Sequence, residues 1–346
     1  MHKKIVSILL LAVLLLAACQ SGANLAAENQ INDNDSAAEN IEQNTSQAEE
    51  SEAENDMEAE EPEEEQAAAP MEFIDGLGRT VLLEAYPETV ISISASTTEI
   101  MYAIGAGDLI IGRDAYSLFP EEVQSIEVVG DFFGQVPSEA LLAAEPDLIL
   151  AGGIISAEQV ATMEELGLTV YYQLDPVDFA GLFTNITDIG ELLGHQEEAE
   201  QVVASLEARV AAVEDALIGI EDRPVVFVEL DATEPSSPWT TGSGTFVDYI
   251  ISTGGGQNAA AELTGAYAQM SSEALIAADP DVILLTDALY GVTPESVAER
   301  PGWEGISAVV NGAVYPFDPY LFNIPGPRLV DGLEQVAQLL HPEVFE

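Results

Sequence analysis

The sequence predicts an α/β protein of two similar Rossmann-like lobes joined by one long α-helix, with a cleft between the lobes. Three observations carry that prediction. A thirteen-residue unit occurs twice, SEALLAAEPDLIL at 138–150 and SEALIAADPDVIL at 272–284, identical at ten positions and offset by 134 residues. Short apolar runs punctuated by turn residues have the length of buried parallel strands. A stretch at 197–220 lies between the two halves, and its Val202, Val203, Leu206, Val210, Val213 and Leu217 recur at helical spacing.

Each copy of the unit begins with Ser and Glu, as helix first turns often do, runs through Ala and Leu, and breaks at Pro-Asp before an apolar run. Helix, tight turn and buried strand is the simplest reading, and its duplication implies two related lobes.

Taken in order, residues 1–18 form a leader. Lys3 and Lys4 precede an apolar run, Ile5 to Leu16, that is too short to cross a bilayer, and Ala17-Ala18 precede Cys19, the only cysteine. Residues 19–70 follow as an acidic tether, with sixteen Asp or Glu between 20 and 70 and no Lys or Arg. Such a segment buries too little apolar surface to fold, and its self-repulsion keeps it extended. Beyond it, 46 carboxylates face six arginines and no lysine. Nucleic acid is excluded as a partner by that balance, because phosphate binding needs clustered cations.

Within the first lobe, 71–195, Met71 to Leu83 reads as a hairpin turning at Asp75-Gly76. Val90 to Ser94 is a strand entering a helix, with Ser96 as cap and Glu99 closing a capping box. Further strands are expected at Leu109 to Gly112, Val128-Val129, the first repeat and Thr169 to Leu174, and a helix at Phe179 to Leu193 that breaks at Gly194. The linking helix is expected over 196–220. The second lobe, 221–346, has a strand at Pro224 to Leu230, a helix capped by Gly254-Gly255-Gly256, the second repeat, a strand around Val309 to Tyr315 and a closing helix from Arg328 to Leu340.

Ligands of open α/β sheets sit outside the carboxyl ends of the strands, so the loops there should line the cleft. Arg113, Tyr116, Phe132, Phe133, Trp239, Tyr290, Trp303, Tyr320, Phe322 and Arg328 are the candidates, with Arg300 a further cation. Their aromatic character suits an apolar ligand carrying little charge.

The small residues before Cys19 resemble the lipobox of bacterial lipoproteins. DGLGRTV at 75–81, STTEIMYAIGAGD at 96–108, both Pro-Asp repeats, GGGQN at 254–258, PGW at 301–303 and RLVDGLEQVAQLLHPEVF at 328–345 together resemble the substrate-binding lipoproteins of ABC importers for cobalamin, iron-siderophores and haem. The resemblance covers nearly all of 71–346. It implies a lipid anchor on Cys19, a place on the extracytoplasmic face of the cell membrane, lobes that move little, and a monomer that hands a metal chelate to a dimeric permease. It also implies that Glu139 and Glu273 dock on permease arginines. Cobalamin or a ferric hydroxamate is the favoured ligand, with haem as the alternative.

No cofactor is expected, because the metal arrives inside the ligand, and the mature chain has no His or Cys cluster with metal-ligand spacing. An enzyme is not expected either. Gly242-Ser243-Gly244 lacks the spacing of a nucleophile elbow, and neither His195 nor His341 falls near a post-strand loop. A structural surface lipoprotein remains a third class, opposed by the duplicated lobes and the loop aromatics.

Overall fold

The computed structural model describes residues 70–345. The leader, Cys19 and the acidic tether lie outside them. Among the described residues, β1 (Met71–Ile74) and β2 (Thr80–Leu83) pair antiparallel as the expected hairpin. Asp75 shapes its turn by accepting from the amides of Leu77 and Arg79 at 3.0 and 2.9 Å.

The first lobe is built on β3 (Val90–Ser92), β4 (Ile110–Asp114), β5 (Val128–Gly130), β6 (Leu148–Gly152) and β7 (Val170–Gln173). They form a parallel sheet of order β5-β4-β3-β6-β7. In the second lobe β8 (Val225–Glu229), β10 (Gln257–Asn258), β12 (Val282–Leu285) and β13 (Val314–Pro316) form a parallel sheet of order β10-β8-β12-β13. A ribbon of β9 (Trp239–Thr241) and β11 (Tyr267–Gln269) flanks it. Both sheets reverse their strand order once, between β3 and β6 and between β8 and β12. The repeated unit supplies the strand just past each reversal.

The two copies fold alike. Helices Ser138–Ala144 and Ser272–Ala278 end on Glu145 and Asp279 in the left-handed region, with φ of 46° and 43°. Pro-Asp then leads into β6 and β12. Alternation along these strands explains their burial: Leu148 and Leu150, like Val282 and Leu284, join one large core, whereas Ile149 and Ala151, like Ile283 and Leu285, enter a separate core on the outer face of each sheet.

That large core runs through both lobes by way of the intervening helices. Phe179–Leu193 packs Leu182, Ile186 and Ile189 into it and stops at Gly194, whose φ of 75° suits glycine. The next helix spans Gln196–Ala216, four residues shorter at its end than the sequence suggests, and buries Leu206, Val210 and Val213. Arg209 on its flank donates to Asp331 at 2.5 Å and Glu334 at 2.6 Å, tying it to the closing helix Leu329–Leu340.

Two local readings are corrected. Val309 belongs to a short helix, Ser307–Asn311, and the strand begins only at Val314. The helix after β3 starts at Ala95 with Ser94 as its cap residue and no side-chain cap, because Ser94 and Ser96 bond each other at 2.8 Å. Glu99 closes no capping box. It faces the other lobe.

Candidate functional site

The two strand-order reversals bring the loops after β3, β6, β8 and β12 to the crevice positions of their sheets. Below the first lobe's surface runs a chain of buried hydroxyls. Thr97 meets Ser92 at 2.7 Å, Thr98 bonds Ser92 at 2.8 Å and Ser117 at 2.9 Å, and Ser117 donates to Asp114. Burial raises the Asp114 carboxyl above the usual range, against the hydrogen bonds it accepts from Ser117 and Tyr116. Above this floor Tyr116 and Phe133 stack edge to face with centroids 5.1 Å apart. Both rings are half-buried. Burial, then the charges of Asp131 and Asp114, push the Tyr116 phenol up. Phe133 also lines a depression of about 550 Å³ with Gln135, Ile154 and Gln159.

The second lobe presents a different wall. Tyr290 and Tyr320 are 48% and 36% exposed, so their rings are free to meet a ligand. Burial, then Tyr320, Asp231 and Asp287, raise the Tyr290 phenol, which places the four groups in one neighbourhood. Behind them Arg300 makes a two-pronged bond to the fully buried Glu229, at 2.5 and 2.7 Å. Asp287 accepts from the Ala232 amide at 3.1 Å through Oδ2, and its buried Oδ1 has no partner. Burial and the Glu229 charge push the Asp287 carboxyl well above the usual carboxylate range.

Contacts between the lobes complete the site. Arg328 donates to both oxygens of Glu99, at 3.0 Å through Nε and more closely through Nη2. Its guanidinium lies 4.0 Å from the Phe119 ring centroid and 6.0 Å from that of Tyr320. Asp175, beyond β7, lies near enough to Tyr267 of β11 for its charge to raise that phenol, after the larger effect of burial.

Several sequence-level candidates fall elsewhere. Arg113 is the fourth residue of β4 rather than a loop residue, and it is spent inside the lobe on the carbonyls of Val123 and Asp114 at 2.9 and 3.0 Å. Arg300 is held by Glu229. Phe132 is buried in the first lobe's outer core, where it takes a positive φ of 58° that leaves Phe133 outward. Trp303 is wholly buried in the second lobe's outer core, its Nε1 donating to Ser272 at 3.2 Å. Phe322 is buried and stacked on Phe317 at 4.2 Å. Trp239 is half-buried against the large core. Tyr290 and Tyr320 are therefore the exposed rings, Tyr116 and Phe133 are half-buried as a pair, and Arg328 sits between the lobes already paired.

Glu139 and Glu273 are both exposed in the first turns of their helices. The arginines tell a consistent story among the described residues. Arg79 pairs with Asp75 and Glu164, Arg209 with Asp331 and Glu334, Arg300 with Glu229, Arg328 with Glu99, and Arg113 and Arg223 bond backbone carbonyls. The walls offer aromatic surface and carboxylates, with no unpaired cation.

Sequence reasoning passed over Asp131, Asp175, Asp231, Asp287 and Phe119 as site residues. A usable signal existed, since each of the four aspartates stands one or two residues beyond the end of a strand. Glu99 was masked by a local motif that explained it too easily.

This bilobed arrangement matches known proteins. A family model described as periplasmic binding protein matches residues 90–321, and the chain belongs to that family. An ABC transporter substrate-binding lipoprotein of Bacillus subtilis (strain 168) is 33% identical over 282 residues, covering 80% of this chain and 87% of its own length. A cobalamin-binding protein of Halobacterium salinarum is 28% identical over 279 residues, 79% of this chain and 74% of that one. Among solved structures, the periplasmic heme-binding protein RhuT from Roseiflexus sp. RS-1 in apo form superposes with a TM-score of 0.67 at 25% identity, over 74% of this chain and 99% of its own. The protein is thus a substrate-binding component of an ABC importer, and its counterpart is a permease.

Proposed function

We propose that the protein captures a bulky metal chelate of low negative charge, a corrinoid or a ferric hydroxamate, and delivers it to its permease. The single observation behind this reading is the pairing of aromatic walls with arginines that are all already held by carboxylates or backbone carbonyls. A ligand bearing several exposed anionic groups would lose hydration without gaining a cationic partner. Haem, with two propionates, meets the same objection, although a structural relative is described as heme-binding.

The metal enters as part of the ligand, and no resident cofactor is needed. Cys19 carries the lipid anchor, and the acidic segment after it holds a monomeric binding domain away from the membrane. Glu139 and Glu273, symmetric and exposed, dock on basic residues of a dimeric permease. A carboxylate in a helix's first turn is already favoured by the helix dipole, so docking adds a second role to a stable position.

Titration of the purified protein with a corrinoid, a ferric hydroxamate and haem, followed by tryptophan fluorescence, tests the ligand. Saturation by one of the first two is expected; a response to haem alone would reverse the assignment. For docking, the double variant Glu139→Ala/Glu273→Ala should lose uptake in cells while binding its ligand unchanged, and weakened ligand binding would refute that role.

A further inference from the structure

Resting on the importer reading, we propose that the permease grips the protein by a charge and an apolar tooth on each lobe: Glu139 with Leu142 on the first, Glu273 with Ile276 on the second. The partner this surface fits is dimeric, each subunit offering a basic side chain beside an apolar hollow.

The repeat itself marks that surface. Packing keeps the buried positions of a duplicated unit alike, whereas its exposed positions are free to drift. Here they have not drifted. All seven positions of helix Ser138–Ala144 share their degree of exposure with the matching positions of Ser272–Ala278. Leu141 and Leu275 are the buried ones, and the exposed ones match as Glu139 with Glu273, Ala140 with Ala274, Leu142 with Ile276 and Ala143 with Ala277. The likeness stops at the edge of the unit, where Val136-Pro137 precede the first copy and Met270-Ser271 the second. A solvent face kept alike in two lobes is what a partner presenting one surface twice requires, and closed symmetry makes that partner a dimer.

The chemistry of this face differs from the surface around it. Leu142 and Ile276 are 45% and 39% exposed, in a folded part that carries 46 carboxylates against six arginines. The linking helix, by contrast, exposes Glu197, Glu200, Glu207 and Glu214 and none of its leucines or valines. Single exposed aliphatics are ordinary, but a matched pair is not. Each stands three residues after its glutamate, so the two side chains are neighbours on the helix, with Cβ atoms about 5 to 6 Å apart. In the second lobe the adjoining loop leaves Ile276 its room: Gly302 takes a φ of 85°, and a Cβ there would come within 3.2 Å of Ile276 Cδ1. Trp303, the next residue, fastens that loop to the helix through Ser272.

The two contacts divide the task. A carboxylate draws a basic partner from a distance and sets its orientation, which governs association. The apolar side chain leaves water only once the surfaces meet, so it governs how long they stay together. With one such pair on each lobe, a single dimer holds both lobes at once.

The test flows the protein over nanodiscs bearing the importer's permease and ATPase subunits at several salt concentrations. Wild type should bind with an affinity that falls as salt rises. Leu142→Ser/Ile276→Ser should weaken binding about tenfold or more, through faster dissociation, and keep the salt dependence. Glu139→Ala/Glu273→Ala should instead slow association and flatten the salt dependence. The exchanged pair Leu142→Ile/Ile276→Leu should stay within about twofold of wild type, because it conserves volume and apolarity. Melting curves check that each variant folds. An unchanged affinity in the serine variant, beside a weakened alanine variant, overturns the apolar contact and leaves docking by the glutamates standing. No effect of either variant, or no binding by wild type, overturns the docking reading and this inference with it. Self-association of wild type in light scattering, abolished in the serine variant, would make a second copy the occupant and overturn the permease as partner of this face.

Discussion

Asp147 and Asp281 hold the same place in the two copies of the repeat, yet the chain uses them unequally. Asp147 accepts from the amides of Glu88 and Thr89 and from the Thr89 hydroxyl, at 3.0, 2.8 and 2.8 Å. Asp281 accepts one bond, from the Val225 amide at 2.8 Å. Deeper down the lobes diverge further. The first fills the space under its crevice with neutral hydroxyls running to Asp114, whereas the second fills it with Glu229, Arg300 and Asp287. Apolar alternation fixed the frame of both copies, and the polar filling was free to differ. Charge therefore became the second lobe's property.

Four substitutions break or sharpen this contrast. Arg300→Met should have the largest effect, because it leaves Glu229 buried without its partner and beside another acid. A loss of about 3 to 5 kcal/mol in urea unfolding is expected. A loss comparable to that of an exposed pair, under about 1 kcal/mol, would mean that the second lobe does not depend on its buried ions.

Glu99→Gln comes next. It keeps the shape but removes the charge that answers Arg328 across the lobes, at a cost of about 1 to 3 kcal/mol in the same measurement. Because this pair belongs to neither lobe alone, its loss should also quicken ligand dissociation in stopped-flow chase experiments.

The repeat aspartates give the smallest effect and the closest comparison. Asp147→Ala should cost about 1 kcal/mol, with solvent screening keeping it small, and Asp281→Ala measurably less. The Thr89 hydroxyl and amide hold the Asp147 carboxyl below the usual range. Its contribution is therefore fully present above the carboxylate pKa of the unfolded chain and is lost as pH falls through the lower folded value. Melting curves of wild type and Asp147→Ala should converge as the pH drops below about 4.

Much of the architecture was legible before any coordinates. The duplicated unit announced two lobes because an apolar run after Pro-Asp has few other uses, and the helix Phe179–Leu193 was bounded correctly because Gly194 ends it unmistakably. The site was less legible. An aromatic next to a strand end reads the same whether it points in or out, so Trp303 and Phe322 could not be told from Tyr290 and Tyr320. Phe132 and Phe133 were indistinguishable until a left-handed backbone turned one inward. Arg113 was misplaced by extending a loop into β4, and the pairings Glu99 with Arg328 and Glu229 with Arg300 span 229 and 71 residues, beyond any local pattern. What local patterns do show is the aspartate just past a strand.

The alternating strands of the repeat have one more consequence. Leu148 and Leu150 from one half, and Val282 and Leu284 from the other, meet in a single interior shared through the intervening helices. A chain severed at Gly194 would yield two fragments, each with a bared greasy flank, and neither would be soluble when made separately. Obtaining either piece would require producing both together and letting them reassemble.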